Sequence, residues 1–469
     1  MKQSKDNHMP AKKAKAAKTA KAKAKANANA NAKANARSDK APIVKWTLKS
    51  RSKTVETFLH RPSVDDFALE AATKVLKEIR NKGDRAIEAA VKKFDGCSMK
   101  AAAFRITDAE IVEAEKQVDA GFKKAAKETR KRIQAFCKNG MREDWSMKAP
   151  HGGTLGEVFH PLDRVGCYIP GGAAPLASTA MMTICLAKFA GVPEIVGCTP
   201  SKPDGRVNPF LIYAMKLAGA TEMYRLGGIQ AIGAMAYGTD TIAKVQKIVG
   251  PGGPFVTAAK KLVYGEVALD SVAGPSEIAI LADDSIPASF VAADLLSQAE
   301  HGTGLEKSLL VTDSPALAKE VQRELESQTK ALSRGSMIRK VIVEGTLIVT
   351  VPDLETGVEL INRFAAEHLE ILVQNPMRWT KKVRAAGAIF VGPWSPEPVG
   401  DFAIGPSHVL PTGGTAAFFS GLTVDDFRRR SSIIHLTKKD LAEVVPVVEA
   451  FGRVEGLDAH VRSTTIRFD

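Results

Sequence analysis

Gln298 and His301 stand three residues apart in Ser297-Gln298-Ala299-Glu300-His301-Gly302. On a helix that spacing puts both side chains on one face, where an amide oxygen and an imidazole nitrogen can reach one cation. Alone, such a pair is more often an ordinary surface or core feature. Its company here is Glu367-His368, Gly400-Asp401 and His460, and together they outline a metal site beside an acid/base pair. A neutral imidazole can take the proton of an alcohol as hydride leaves carbon, and a carboxylate can then activate water for a second oxidation. Adjacent residues on a strand point to opposite faces, so Glu367 and His368 serve one site only at a strand end. His368 begins the strand-like run Leu369-Glu370-Ile371-Leu372-Val373, which places the pair at its mouth.

The elements that must hold these residues read as α/β. Short apolar runs at 195–197, 279–281, 308–311 and 388–391 alternate with helical stretches such as 208–218 and 315–327. That alternation predicts α/β domains with largely parallel sheets. Residues 64–95 and 108–139 read as surface helices charged on one face, the second capped by Asp108. Glycine-rich turns follow at Pro170-Gly171-Gly172, Gly227-Gly228, Gly250-Pro251-Gly252-Gly253 and Ala273-Gly274-Pro275. No Gly-x-Gly-x-x-Gly follows a strand, so the usual dinucleotide fingerprint is absent.

With 469 residues the chain exceeds one ordinary core and suggests two or more domains. No run of 18 apolar residues suits a membrane span, and the N-terminus lacks a secretory apolar region. The net charge of +14 is concentrated: residues 1–40 hold 11 Lys and 1 Arg against 2 Asp, a net +10, leaving +4 for the other 429. Residues 1–42 alternate Ala with Lys and then Asn, and they read as disordered because like charges have nothing to pack around. A solvated tail, a non-specific polyanion-binding arm and a targeting segment all remain open for it. Cys97, Cys137, Cys167, Cys185 and Cys198 are odd in number, with no Cys-x-x-Cys, which fits a reducing cytoplasm. Cys167 reads as a packing residue rather than a nucleophile.

Six motifs occur in order: Ala-Gly-Pro-Ser-Glu (273–277), Leu-Leu-Ser-Gln-Ala-Glu-His-Gly (295–302), Asn-Arg-Phe-Ala-Ala-Glu-His-Leu-Glu (362–370), Ser-Pro-Glu-Pro-Val-Gly-Asp-Phe (395–402), His-Val-Leu-Pro-Thr-Gly-Gly (408–414) and Gly-Leu-Asp-Ala-His (456–460). In this order and spacing the chain closely resembles the histidinol dehydrogenases from about residue 55 to its end. The resemblance implies a zinc-dependent, four-electron oxidation of L-histidinol to L-histidine with two NAD, by way of an enzyme-held aldehyde. It implies one Zn2+ per subunit on Gln298, His301, Asp401 and His460, with Glu367 and His368 catalytic. Ser276, Gln298, His301, His368, Asp401, His408, Glu455 and His460 then contact the amino alcohol, and Tyr168, Gln230 and Gly253 contact NAD. It also implies a homodimer with shared sites, and two Rossmann-like α/β domains. Residues 43–166 with 277–420 would carry metal and catalysis, 167–276 would bind NAD, and the helical extension 421–469 would reach the partner subunit.

Three positions depart from the family pattern: Gly253 and Ser407 stand where Asn is usual, and Ala366 where Pro is usual. Within the same reaction class, a hydroxylated sulfonate is the alternative substrate, although such a site should present Arg or Lys. A nucleic-acid role carried by the basic leader is the alternative from another class.

Overall fold

The structure, a computed structural model, describes residues 40–50, 52–61, 65–171, 174–272, 274–301 and 303–469. The expected disordered leader lies outside the described residues as far as residue 39. Its last three residues belong to the packed body: Ala41 is buried and its carbonyl accepts from Gln322, and Lys40 pairs with Glu326.

Strands β1 (Ile43–Lys45), β2 (Trp145–Lys148), β3 (Thr154–Pro161), β4 (Arg164–Tyr168), β5 (Glu194–Cys198), β6 (Glu222–Tyr224) and β7 (Lys247–Val249) come first. Then follow β8 (Ala268–Leu269), β9 (Glu277–Ala282), β10 (Lys307–Thr312), β11 (Thr346–Thr350), β12 (His368–Leu372), β13 (Ala388–Val391) and β14 (Arg428–His435). One sheet runs β6-β5-β4-β7-β8 and a second β1-β11-β10-β9-β12-β13, all pairs parallel. Counted in chain order, β4 to β8 and β9 to β13 each stand as 3-2-1-4-5, the dinucleotide-fold arrangement. The two Rossmann-like sheets expected from sequence are therefore present. Every residue of β4, β9, β11 and β12 is buried, which explains their near-continuous apolar composition.

By sequence, 43–166 group with 277–420. The packing divides that stretch. Helices Asp66–Lys82 and Ala120–Gly140 bury their apolar stripes in cores shared with β4 to β7, not with β9 to β13. Gly233 lets one of them approach closely: a Cβ there would lie 2.8 Å from Ile79 Cδ1 and 3.1 Å from Leu76 Cδ2. Overfilling such a contact costs ~1–3 kcal/mol. The helix expected over 108–139 is two, Asp108–Gln117 and Ala120–Gly140, broken where Val118 and Asp119 are extended. The cap is Thr107 rather than Asp108, in a reciprocal box with Glu110 worth ~1 kcal/mol.

A small antiparallel sheet, β14-β3-β2, ends the fold. It leads into helices Lys438–Glu455 and Asp458–Thr465, of which only Asp440 and Gly452 are buried.

Candidate active site

Glu277 opens β9 and His368 opens β12, which are parallel neighbours with His368 level with Ile278. Glu367 and His368 thus sit at the amino ends of the central strands, at the strand mouth expected for them. Open α/β sheets normally take ligands at the opposite, carboxyl edge. The approach to it is a turn: helix Leu354–Phe364 ends at Ala365, whose φ of 49° is left-handed, and the chain then enters Glu367 and His368.

His368 is buried, with Nδ1 3.1 Å from Gln298 Oε1. An amide oxygen only accepts, so Nδ1 carries the proton and Nε2 is the lone-pair nitrogen. Among the described residues that Nε2 has no hydrogen-bond partner, and it lies 3.7 Å from both Glu397 Oε1 and Asp401 Oδ1. Burial holds the ring down at about 4, against the pull of Asp401, so it is neutral at ordinary pH. Glu367, also buried, accepts the Glu277 N–H at 2.9 Å and stands 3.9 Å from His368 Nδ1. Burial raises its carboxyl well above the usual range, which makes it a stronger base once ionised.

Gln298 lies in the last turn of helix Ala288–Ala299, and His301 falls just beyond its end, joined by a His301 N–H to Gln298 carbonyl contact of 3.5 Å. The expected single helical face therefore stops at Gln298, because the helix ends at Ala299. His301 meets Glu397 and Asp401 instead: one donor atom from each lies within 4.8 Å of the others. Glu397 and Asp401 are four apart on helix Glu397–Phe402 and share a face. Sequence reading missed Glu397 although it stands inside the quoted 395–402 motif, four residues before Asp401. Ser297 Oγ donates to its Oε2 at 3.1 Å, and its own N–H donates to Glu370 Oε1 at 2.7 Å. Burial and then Asp401 raise the Glu397 pKa, and its Oε1 has no hydrogen-bond partner among the described residues. An imidazole, two carboxylates, one of them with an orphaned buried oxygen, and a nearby amide form a donor set that fits a divalent cation such as Zn2+.

His408 Nδ1 donates to the Asp401 carbonyl at 3.1 Å, and Nε2 stands 3.3 Å from Thr179 Oγ1. Thr179 belongs to helix Ala177–Phe189, the first helix after β4. Ser407 Oγ donates to the Met182 carbonyl of the same helix at 2.8 Å. The site thereby leans on the other sheet's unit. Ser276 precedes Glu277, and its carbonyl accepts from Lys307 N–H. Glu455 and His460 do not join the group: both are exposed on the C-terminal helices of the single chain.

Tyr168 ends β4 and Gly250–Gly253 follows β7, the neighbouring strands where the order reverses. The Tyr168 hydroxyl accepts from Gly228 N–H at 3.2 Å, and buried Gln230 donates to Asp95 at 2.9 Å. Gly253 is the N-cap of helix Pro254–Val263, with no side-chain cap. Below it, Asp270 accepts the Gly250 N–H at 2.7 Å while Lys260 donates to the Gly250 carbonyl at 2.9 Å, a buried pair that clamps the loop.

Two dinucleotide-type sheets and a largely buried cluster of carboxylates and imidazoles are the arrangement expected of an oxidoreductase. The comparisons place it further. Residues 60–468 match the family model for histidinol dehydrogenase. The chain is 42% identical over 415 residues to the histidinol dehydrogenase of Heliobacterium mobile, covering 88% of this chain and 97% of that one. It is 44% identical over 402 residues to that of Rhodopseudomonas palustris, covering 86% and 93%. The crystal structure of histidinol dehydrogenase from Elizabethkingia anophelis superposes with a TM-score of 0.86 at 33% identity, over 92% of this chain and 98% of the other. The chain belongs to the histidinol dehydrogenase family, whose members are NAD-dependent, zinc-binding oxidoreductases of histidine biosynthesis.

Proposed function

We propose that this protein oxidises L-histidinol to L-histidine in two successive hydride transfers to NAD, with L-histidinaldehyde retained between them. The observation that carries this is the unpartnered Nε2 of neutral His368, aimed at the Glu397 and Asp401 carboxylates beside His301. Nε2 accepts the hydroxyl proton as hydride leaves the carbinol carbon, and Gln298 keeps Nδ1 protonated. The aldehyde then needs water. Glu367, ionised, takes a proton from that water, and its oxygen adds to the carbonyl so that a second hydride can leave. Glu397 is the in-chain donor we add to Gln298, His301 and Asp401 for the metal. A divalent cation held by these residues would supply a fixed positive charge for orienting the neutral amino alcohol.

Tyr168, Gln230 and Gly253 serve NAD, a reading supported by the place of Tyr168 and Gly253 at the strand-order reversal and by the Gly228 N–H to Tyr168 hydroxyl bond that brings the helix of Gln230 beside it. Ser276 and His408 line the substrate side. His460 and Glu455 complete the site from a second copy of the chain. Their exposure supports this, as do the exposed Ile433 and Ile434 on β14 and Val447, Phe451 and Val454 on the following helix. A homodimer with two shared sites follows, with the extension 421–469 reaching across; residues 167–276 bind NAD with helices of 66–140 packed on their sheet, and 277–420 carry the metal and catalytic residues. Among the described residues no helix is long and apolar enough to cross a membrane, and all five cysteines are free and buried, which supports a cytoplasmic enzyme.

The test is NADH formed per L-histidinol consumed, before and after chelation. Two per substrate, lost on chelation and restored by Zn2+, is expected. A ratio of one, or activity indifferent to chelation, refutes the reading.

A further inference from the structure

Arg61 and Glu277 form a buried ion pair, Nη1 to Oε1 2.8 Å, immediately behind Glu367. Neither residue reaches the reacting atoms in the mechanism above, yet four segments meet at this pair. The backbone N–H of Glu277 is the group that holds Glu367 Oε2, at 2.9 Å. The backbone N–H groups of Gly413 and Gly414, in the turn that follows His408, favour the ionised form of the Glu277 carboxylate, and a Cβ at Gly414 would lie 2.8 Å from Arg61 Nη2. Arg61 Nη2 donates to the carbonyl of Phe364, and its guanidinium lies 3.9 Å from the Phe364 ring centroid. Arg61 Nε donates to the Leu59 carbonyl at 3.3 Å.

Phe364 is the last residue of its helix, and Ala365 after it is left-handed at φ 49°. A residue with a Cβ stays in that conformation only where its surroundings over-determine it. Here the surroundings are Arg61 on the Phe364 carbonyl before the turn, and Gly387 N–H on the Ala366 carbonyl after it. The guanidinium is suited to this work because its fixed fork reaches a carboxylate and a carbonyl together. The pair therefore sets two things about Glu367: where its backbone leaves the turn, and where the N–H gripping its carboxylate stands.

We propose that Arg61 and Glu277 are positioning residues for Glu367, holding its carboxylate for the water-consuming second oxidation. This rests on the role assigned to Glu367 above. His368 follows the same turn but is also held from the other side, by Gln298, so the first hydride transfer depends on the pair far less than Glu367 does.

The experiment uses the full-length, zinc-loaded enzyme with NAD and measures the two half-reactions separately. One is the first NADH from L-histidinol in a single turnover; the other is NADH from L-histidinaldehyde supplied directly. Arg61→Met should slow the aldehyde reaction about ten- to a hundredfold, as expected for one charge-assisted hydrogen bond lost behind a catalytic carboxylate, and leave the first hydride within about twofold. Arg61→Lys should restore part of the loss, because it keeps the charge without the fork. Should Arg61→Met not fold, Glu277→Gln carries the same expectation, since it keeps the shape and removes the charge. Parallel loss of both half-reactions, or of neither, overturns the proposal. Glu367→Gln separates the two layers. If it slows the aldehyde step and the Arg61 and Glu277 variants do not, the positioning inference fails alone. If it leaves the aldehyde step intact, the role of Glu367 fails and the inference with it.

Discussion

Gly253→Asn should tighten NAD binding. Gly253 has φ −67° and ψ 178°, ordinary extended backbone, and a Cβ built there meets no heavy atom within 4 Å. The substitution therefore introduces neither strain nor a clash. Gly253 is also the N-cap of helix Pro254–Val263 and offers no side chain to its free N–H groups. Asn is among the best N-caps, but exchanging Gly for it is worth only a few tenths of a kcal/mol. If the new amide instead faces the dinucleotide, one added hydrogen bond contributes ~0.5–1.5 kcal/mol, roughly a two- to tenfold lower Kd for NAD. The two effects separate cleanly. Calorimetric titration of the full-length enzyme reads the Kd, and thermal unfolding without NAD reads the cap. A higher melting temperature with unchanged or weaker NAD affinity refutes the reasoning, because it shows a side chain at 253 turned to the helix and away from the cofactor.

Glu397→Gln should lower metal affinity about tenfold or more by removing one of two carboxylates; metal content after dialysis checks this, and full retention refutes it. Mixing inactive His301→Asn and His460→Asn enzymes should restore about a quarter of wild-type activity if each site draws on two subunits, and none if His460 acts within its own chain. Glu222 is held at about 2, first by its hydrogen bond to Arg164, so its contribution is present above its free value of 4.5 and is lost as pH falls toward 2. Glu222→Gln should accordingly flatten the urea midpoint over that window. It should also cost ~1–2 kcal/mol at neutral pH, discounted for the part of the carboxylate that faces solvent. A variant as acid-sensitive as the parent refutes this.

Legibility followed the physics of each signal. The runs at 195–197, 279–281 and 308–311 lie within β5, β9 and β10, because strands buried on both faces must be continuously apolar, and the run 388–391 forms the half-exposed edge strand β13. The place of His368 at a strand mouth was equally readable, since two adjacent residues share a site only there. The break at Val118 and Asp119 was not, because the residues on either side keep a helical composition and only backbone geometry interrupts them. Nor was the attachment of residues 66–140 to the other sheet. A helix stripe declares that it is apolar but not which surface it will meet, and here Gly233 provides the seat.

By itself the chain determined its element types, its motif residues and the charge imbalance of its leader, all of which rest on composition and short spacing. Only tertiary structure decided that Glu397 joins His301 and Asp401, and that Gln298 serves His368. It alone tied Arg61 to Glu277 across more than two hundred residues behind Glu367, and left Glu455 and His460 outside a single chain's site. Contacts between distant segments depend on how sheets and helices stack, and local sequence does not encode that stacking.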